Sequence, residues 1–296
     1  MIKLITLSSP NSTRAFFSLQ NSGPQKKLMR IVTLSICSLL VIFYHPAWSK
    51  SGSVYLEDLT WTEVRDDLRA GKTTMIIPIG GTEQSGPHIS LGKHNMRAKV
   101  LAGKIATVLG NSLVAPVVAY VPEGDISPAK GHMRFPGTIS ITDQTFKSLL
   151  DGAARSMKQH GFVDIVLIGD HGGYQSQLKE VAARLNHEWA ATKVRVHYIG
   201  DYYKAVDTDY VEALRKRGLS DEQIGLHAGA ADTSLMMAID PDFVRTVRSS
   251  PDAQERRKEG VNGDPRVSTA ALGQIGVDLI VTHSVSAIRK AQNEKR

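Results

Sequence analysis

Glu83, His88 and His94 stand close together in Gly80-Gly81-Thr82-Glu83-Gln84-Ser85-Gly86-Pro87-His88, which runs on to Gly92-Lys93-His94-Asn95. Asp170 and His171 stand in a second glycine-rich stretch, Gly169-Asp170-His171-Gly172-Gly173. Each stretch follows an apolar run that reads as a buried strand, Thr73 to Ile79 and Val163 to Ile168. In open parallel sheets, ligands bind beyond the carboxyl ends of the strands. A carboxylate with several imidazoles and no thiolate is a ligand set for zinc, manganese or iron. The plainer alternative is that these are ordinary loop histidines, since glycine-rich turns follow strands in many α/β proteins.

Two further segments carry polar chemistry. Gly131-His132-Met133-Arg134-Phe135-Pro136-Gly137-Thr138 reads as a tight turn entering a short strand, Thr138 to Ser140. His132 there either faces the cleft or braces its loop. His227-Ala228-Gly229-Ala230-Ala231-Asp232-Thr233-Ser234 opens a helix. His227 and Asp232 are candidates for a general acid–base pair, and capping of the helix end by Asp232 is the structural alternative.

The elements that must position these residues alternate along the chain. Thr60 and Glu63 form a capping box at the start of a short amphipathic helix ending at Gly71. After the first strand, Met96 to Leu109 reads as a helix and Leu113 to Val121 as an apolar, β-branched strand. Gln144 to His160 is helical, as is Gln175 to Ala191; the strand Val194 to Ile199 follows. Continuous apolar strands between amphipathic helices predict an α/β fold with a mainly parallel sheet covered on both faces. Arg248 to Val267 is polar and punctuated by Gly and Pro, and reads as a long surface loop; Gln274 to Gln292 reads as a closing helix.

The chain has 296 residues and a net charge of +7, but the basicity sits at its start. Residues 1–49 hold Lys3, Arg14, Lys26, Lys27 and Arg30 and no acid; the rest has 31 basic against 29 acidic residues. That distribution argues against a nucleic-acid surface. Lys26 to Arg30, the 13-residue apolar run Ile31 to Phe43 and Ala47-Trp48-Ser49 have the layout of a secretory signal peptide cut before Lys50. The run is shorter than the ~20 residues a spanning helix needs, so no stable membrane anchor is expected after cleavage. Met29 is the expected start of translation. The single cysteine, Cys37, lies inside the run, leaving residues 50–296 without a thiol as one catalytic domain in the periplasm or outside the cell.

In their order and spacing the four polar segments resemble the creatininase (creatinine amidohydrolase) family. Its pattern is Gly-(Ser/Thr)-x-Glu-x-His-Gly-x-His with an Asp eleven residues after the Glu. His-x-x-Phe-Pro-Gly-Thr, Asn-Gly-His-Gly-Gly-Asn and His-Ala-Gly-x-x-Glu-Thr-Ser come later. The resemblance covers about residues 55–245. It implies a three-layer α/β/α sandwich, a homo-oligomer (often a hexamer), and metal-assisted hydrolysis of non-peptide C–N bonds in cyclic amides or formamides.

The departures from that pattern are coordinated. Ser85 replaces the first motif's His, His94 the bridging Asp and Gly173 a Glu; Gly169-Asp170 stands for Asn-Gly, and Asp232 for the last Glu. Both ligands peculiar to a second ion are absent, and an imidazole nitrogen serves one metal at a time. The resemblance therefore implies one divalent ion, zinc first and manganese or iron next, on Glu83, His94 and His171. Asp170 or Asp232 would take a proton from water, His227 would protonate the departing nitrogen, and His88 and His132 would orient substrate. Creatinine itself is not the expected substrate, because Gln223 and Ile224 stand near the place of a Trp-Asp pair. Two other readings use the same residues: a non-catalytic binding protein on a degenerate scaffold, and an iron oxygenase with Glu83, His94 and His171 as a facial triad.

Overall fold

The structure, a computed structural model, describes residues 52–245 and 250–294. The expected leader, its cleavage point, Met29 and Cys37 lie outside the described residues.

Helix α1 (Trp61–Arg69) begins at Thr60, whose side chain accepts from the Glu63 amide while Glu63 reaches back to the Thr60 amide. This capping box is the one expected. Strand β1 (Thr74–Ile79) is buried at every residue. Helix α2 (Lys93–Leu109) carries the chain to β2 (Ser112–Val114), and α3 (Asp143–His160) leads to β3 (Asp164–Gly169). Helix α4 (Gln175–Glu188) then precedes β4 (Arg195–Tyr198).

All strand pairs are parallel, in the order β2-β1-β3-β4. The chain therefore reverses its winding direction between β1 and β3, which run side by side from Thr74 opposite Asp164 to Ile79 opposite Gly169. Alternation along the strands divides the core. Ile76, Val166 and Ile168 face one layer, with Leu101 and Ile105 of α2. Met75, Ile77, Ile79, Ile165 and Leu167 face the other, with Phe146 and Leu150 of α3 and Leu178 of α4. Each fully buried aliphatic chain contributes about 1.5–3 kcal/mol, so both helical layers are fixed to the sheet. This is the expected three-layer α/β/α sandwich.

The C-terminal half is mostly helical. Short helices α5 (Asp201–Ala205), α6 (Val211–Arg215) and α7 (Asp221–Ile224) lead to α8 (Ala230–Ile239). Helix α9 (Ala253–Lys258) precedes the closing helix α10 (Ala270–Asn293). Helix α10 is long and apolar enough to span a membrane by composition, yet Val277, Ile280 and Ile288 are core residues. Its backbone touches α8 closely: a Cβ on Gly273 would meet the Ser234 carbonyl oxygen at 1.8 Å.

Three expected elements differ. The strand from Leu113 to Val121 forms its ladder only over Ser112–Val114, because Pro116 interrupts it; Val118 rejoins β1 by a single bridge to Ile79. Thr138 to Ser140 is extended but makes no strand; the Ile139 amide donates instead to the Thr82 carbonyl. The stretch read as a surface loop contains α9 and buries Arg256, Val261 and Asp264. Its glycines explain the error: a Cβ on Gly263 would lie 2.4 Å from Gly229 Cα, so they permit close packing rather than a free loop.

Candidate metal centre

The reversal point lies at the carboxyl ends of β1 and β3, and there the sequence places its two glycine-rich stretches. The loop after β1 is held by Asn95, whose Oδ1 accepts from the Gly81 amide and whose Nδ2 donates to Thr82 Oγ1. The Glu83 amide donates to the Leu91 carbonyl and the Gln84 amide to Thr138 Oγ1. These bonds aim Glu83 inward, where it is wholly buried. The β3 loop is tied to the same point by Tyr174, whose hydroxyl donates to the Gly80 carbonyl and accepts from the His171 amide.

Around Glu83 the structure gathers four imidazoles. His94 Nε2 lies 2.7 Å from Glu83 Oε1, and His132 Nε2 lies 3.1 Å from Oε2. His171 Nε2 is 3.6 Å from Oε2, and His227 Nδ1 is 3.7 Å from Oε1. Ligand atoms of Glu83, His94 and His171 all lie within 4.8 Å of one another, and so do those of Glu83, His132 and His227. A carboxylate among imidazoles at this spacing fits a divalent cation.

His94, in a segment whose sequence reads as a loop, occupies the first turn of α2, which starts three residues before the expected Met96. Polar Lys93, His94 and Arg97 look wrong for a buried helix start; buried carboxylates compensate them. His94 Nδ1 donates to Asp170 Oδ2 at 2.6 Å. Arg97 Nε donates to the same oxygen at 2.8 Å, and the Tyr202 hydroxyl donates to Asp170 Oδ1 at 2.8 Å. Burial would raise the Asp170 pKa, but Arg97 and the His94 bond hold it below the usual carboxylate range. Both oxygens of this expected proton acceptor are thus committed to positioning its neighbours.

Asp232 is engaged in the same way. Oδ1 accepts from Arg97 at 2.6 Å; Oδ2 accepts from Lys93 at 3.0 Å and from the Ala228 amide at 2.9 Å. Despite burial, Lys93 and Arg97 hold its pKa well below normal. Asp232 does not cap the helix end, because the amide it accepts from belongs to Ala228, one residue before the Gly229 N-cap. It anchors Ala228, a non-glycine residue at φ 54°, beside His227.

His227 Nε2 donates to the Gln84 carbonyl at 2.9 Å, which leaves the Nδ1 lone pair facing Glu83. Burial and the charge of Lys93 push its pKa down to about 4, so the ring is neutral at pH 7. Burial likewise lowers His171 to about 3 and lowers His132. Burial would raise the pKa of Glu83, but His94, Lys93 and His171 hold it well below normal.

His88 is not brought to the cluster. It is buried with Nε2 3.0 Å from Thr233 Oγ1, bracing the start of α8.

Four contributors were not singled out from sequence. Lys93 and Arg97 lie one helical turn apart on the buried face of α2, a spacing that could have flagged them. Gln84 links His132 Nδ1, at 2.9 Å, to the Gly260 carbonyl. Glu123, in the loop after β2, reaches His171 Nε2 at 3.7 Å through Oε2. Burial and the facing Glu83 raise its pKa to about 9. No local pattern marked it, since Val121-Pro122-Glu123-Gly124 reads as a turn.

His94, His132, His171, His227, Asp170 and Asp232 line a cavity of about 990 Å³. A doubly wound α/β/α sheet with a carboxylate–imidazole cluster at its reversal point, under such a cavity, defines the class as an α/β protein with a metal-binding centre. Residues 57–288 match the family described as creatininase, creatinine amidohydrolase, and the chain belongs to that family. It is 27% identical to creatinine amidohydrolase of Pseudomonas putida, over 66% of this chain and 75% of that protein. It is 29% identical to the mycofactocin precursor peptide peptidase of Mycolicibacterium smegmatis, over 72% of this chain and 83% of the relative. A solved structure named "Creatininase Mn" shares the fold with TM-score 0.67 and 24% identity, covering 81% of this chain and 99% of that one. One relative is thus named for a peptide substrate, so family membership does not by itself restrict the bond to non-peptide amides.

Proposed function

We propose that this chain is a divalent-metal-dependent amidohydrolase that opens a C–N bond of a small cyclic amide or formamide outside the cytoplasm, working as a homo-oligomer. The observation that carries the reading is the convergence of Glu83, His94 and His171 from separate segments, with ligand atoms within 4.8 Å of one another. One divalent ion on these three, zinc first and manganese or iron next, leaves coordination positions open. When bound, it supplies Lewis acidity that polarises a substrate carbonyl and makes water more acidic.

The chain's own groups do the rest. Asp170 fixes the His94 ring through Nδ1 and so directs Nε2 at the centre. His227 is neutral at pH 7 with its Nδ1 free, so it takes the proton from the attacking water and returns it to the departing nitrogen. Gln84 holds His132 Nδ1, which leaves the Nε2 proton of His132 for Glu83 or substrate. Export rests on the leader sequence alone.

The test is amine or ammonia release from a panel of cyclic amides and formamides by the zinc- or manganese-loaded protein. Turnover in the wild type that is abolished in Glu83→Gln and His171→Ala is expected. Stoichiometric metal without turnover of any member would favour the binding-protein alternative. Metal-dependent oxygen consumption would favour the oxygenase.

A further inference from the structure

We infer that Glu123 is a further ligand of the same cation, adding a second carboxylate brought from the loop after β2. The inference rests on the metal-dependent reading above and deepens it.

Glu123 is buried, and no hydrogen-bond donor of the described residues reaches either of its carboxyl oxygens. A buried carboxylate without donors is costly unless a cation compensates it. Its surroundings are what such a cation requires. Oε2 lies 3.7 Å from His171 Nε2, which is itself 3.6 Å from Glu83 Oε2, so one imidazole nitrogen faces two carboxylates.

The backbone makes room for this side chain. Gly81 has φ 152°, and a Cβ there would lie 2.5 Å from Glu123 Oε1. On the other side, a Cβ on Gly173 would crowd His171 at 2.8 Å and lie 4.0 Å from the Pro122 carbonyl oxygen.

The charges agree. Among the described residues, Glu83, Glu123, Asp170 and Asp232 surround the centre with Lys93 and Arg97 as the fixed cations that pair with them. With neutral histidines, and with Glu123 ionised as a ligand would be, these groups carry a net two negative charges, which a divalent ion neutralises. Removing Glu123 from the ligand set would leave one of them outside the coordination shell, facing Glu83.

The experiment is calorimetric titration of the metal-free full-length protein with zinc and with manganese, alongside thermal unfolding with and without metal. Wild type, Glu123→Gln, Glu123→Asp and His171→Ala are compared. Glu123→Gln is expected to fold with a metal-free Tm close to the wild type's, because the amide, like the protonated acid, sets no charge against Glu83. Its metal affinity should fall by more than the ~10–100-fold that losing an outer partner of a ligand costs. Cobalt(II) absorption should strengthen in Glu123→Gln as the coordination number drops. Should Glu123→Gln fail to fold, Glu123→Asp carries the test, with weaker binding than wild type expected and equal binding overturning the inference. Wild-type protein that binds no metal would overturn the parent reading. Metal binding that is lost in His171→Ala but unchanged in Glu123→Gln would overturn this inference alone.

Discussion

The His94 ring is held between two carboxylates, with Nδ1 2.6 Å from Asp170 Oδ2 and Nε2 2.7 Å from Glu83 Oε1. The two contacts differ in kind. Asp170 is held by Arg97 and Tyr202 and fixes the ring, whereas Glu83 faces the other imidazoles. A carboxylate behind a ligand histidine sets its tautomer and raises its basicity.

Asp170→Asn is therefore expected to weaken metal affinity by ~10- to 100-fold while leaving the protein folded. Competition with a chelator of known affinity measures this. An unchanged affinity would show that His94 does not depend on Asp170 for its orientation.

Arg97 joins Asp170 to Asp232, and truncating it leaves two buried acids short of their cation. Removing one partner of a buried ion pair costs about 3–5 kcal/mol. Arg97→Met should lower stability by that order in chemical denaturation, with or without metal. Lys93 still reaches Asp232 at 3.0 Å, so the damage should centre on Asp170.

His88 gives a pH prediction away from the cluster. Burial and the charge of Lys93 push its pKa from 6.5 down to about 4 in the folded protein. Between those values the unfolded chain takes up a proton that the folded chain refuses, so stability falls as the medium is acidified. The contribution is whole above pH 6.5 and is lost progressively toward pH 4. His132, His171 and His227 shift in the same direction, and His88→Gln removes one of the four. Its Tm should fall less steeply than the wild type's across this window; an identical slope would contradict the assignment.

The sheet and its glycine-rich turns were legible because strands buried on both faces are largely apolar, as at residues 75–79 and 165–168 within Thr74–Ile79 and Asp164–Gly169. Glu83, His94 and His171 were legible because each follows or starts an element at the end where sheets of this kind bind ligands. Less legible was whatever depends on a partner distant in sequence. Lys93 and Arg97 look solvent-exposed until Asp170 and Asp232, more than seventy residues away, are placed against them. Glu123 looks like a turn residue until β2 is paired with β1. The stretch around Gly260 and Gly263 looks free because glycine suits both a loose loop and a close backbone contact, and only packing tells them apart.

The arrangement around His94 also constrains how such a centre can change over generations. His94→Asp alone would set a third acid between Glu83 and Asp170, with neither proton nor ring nitrogen to separate them. Asp170→Gly alone would leave the imidazole without its orienting acceptor and Arg97 without half of its neutralisation. Each single exchange damages what the other side chain provides, so the effects of changing positions 94 and 170 together should not be the sum of the two alone.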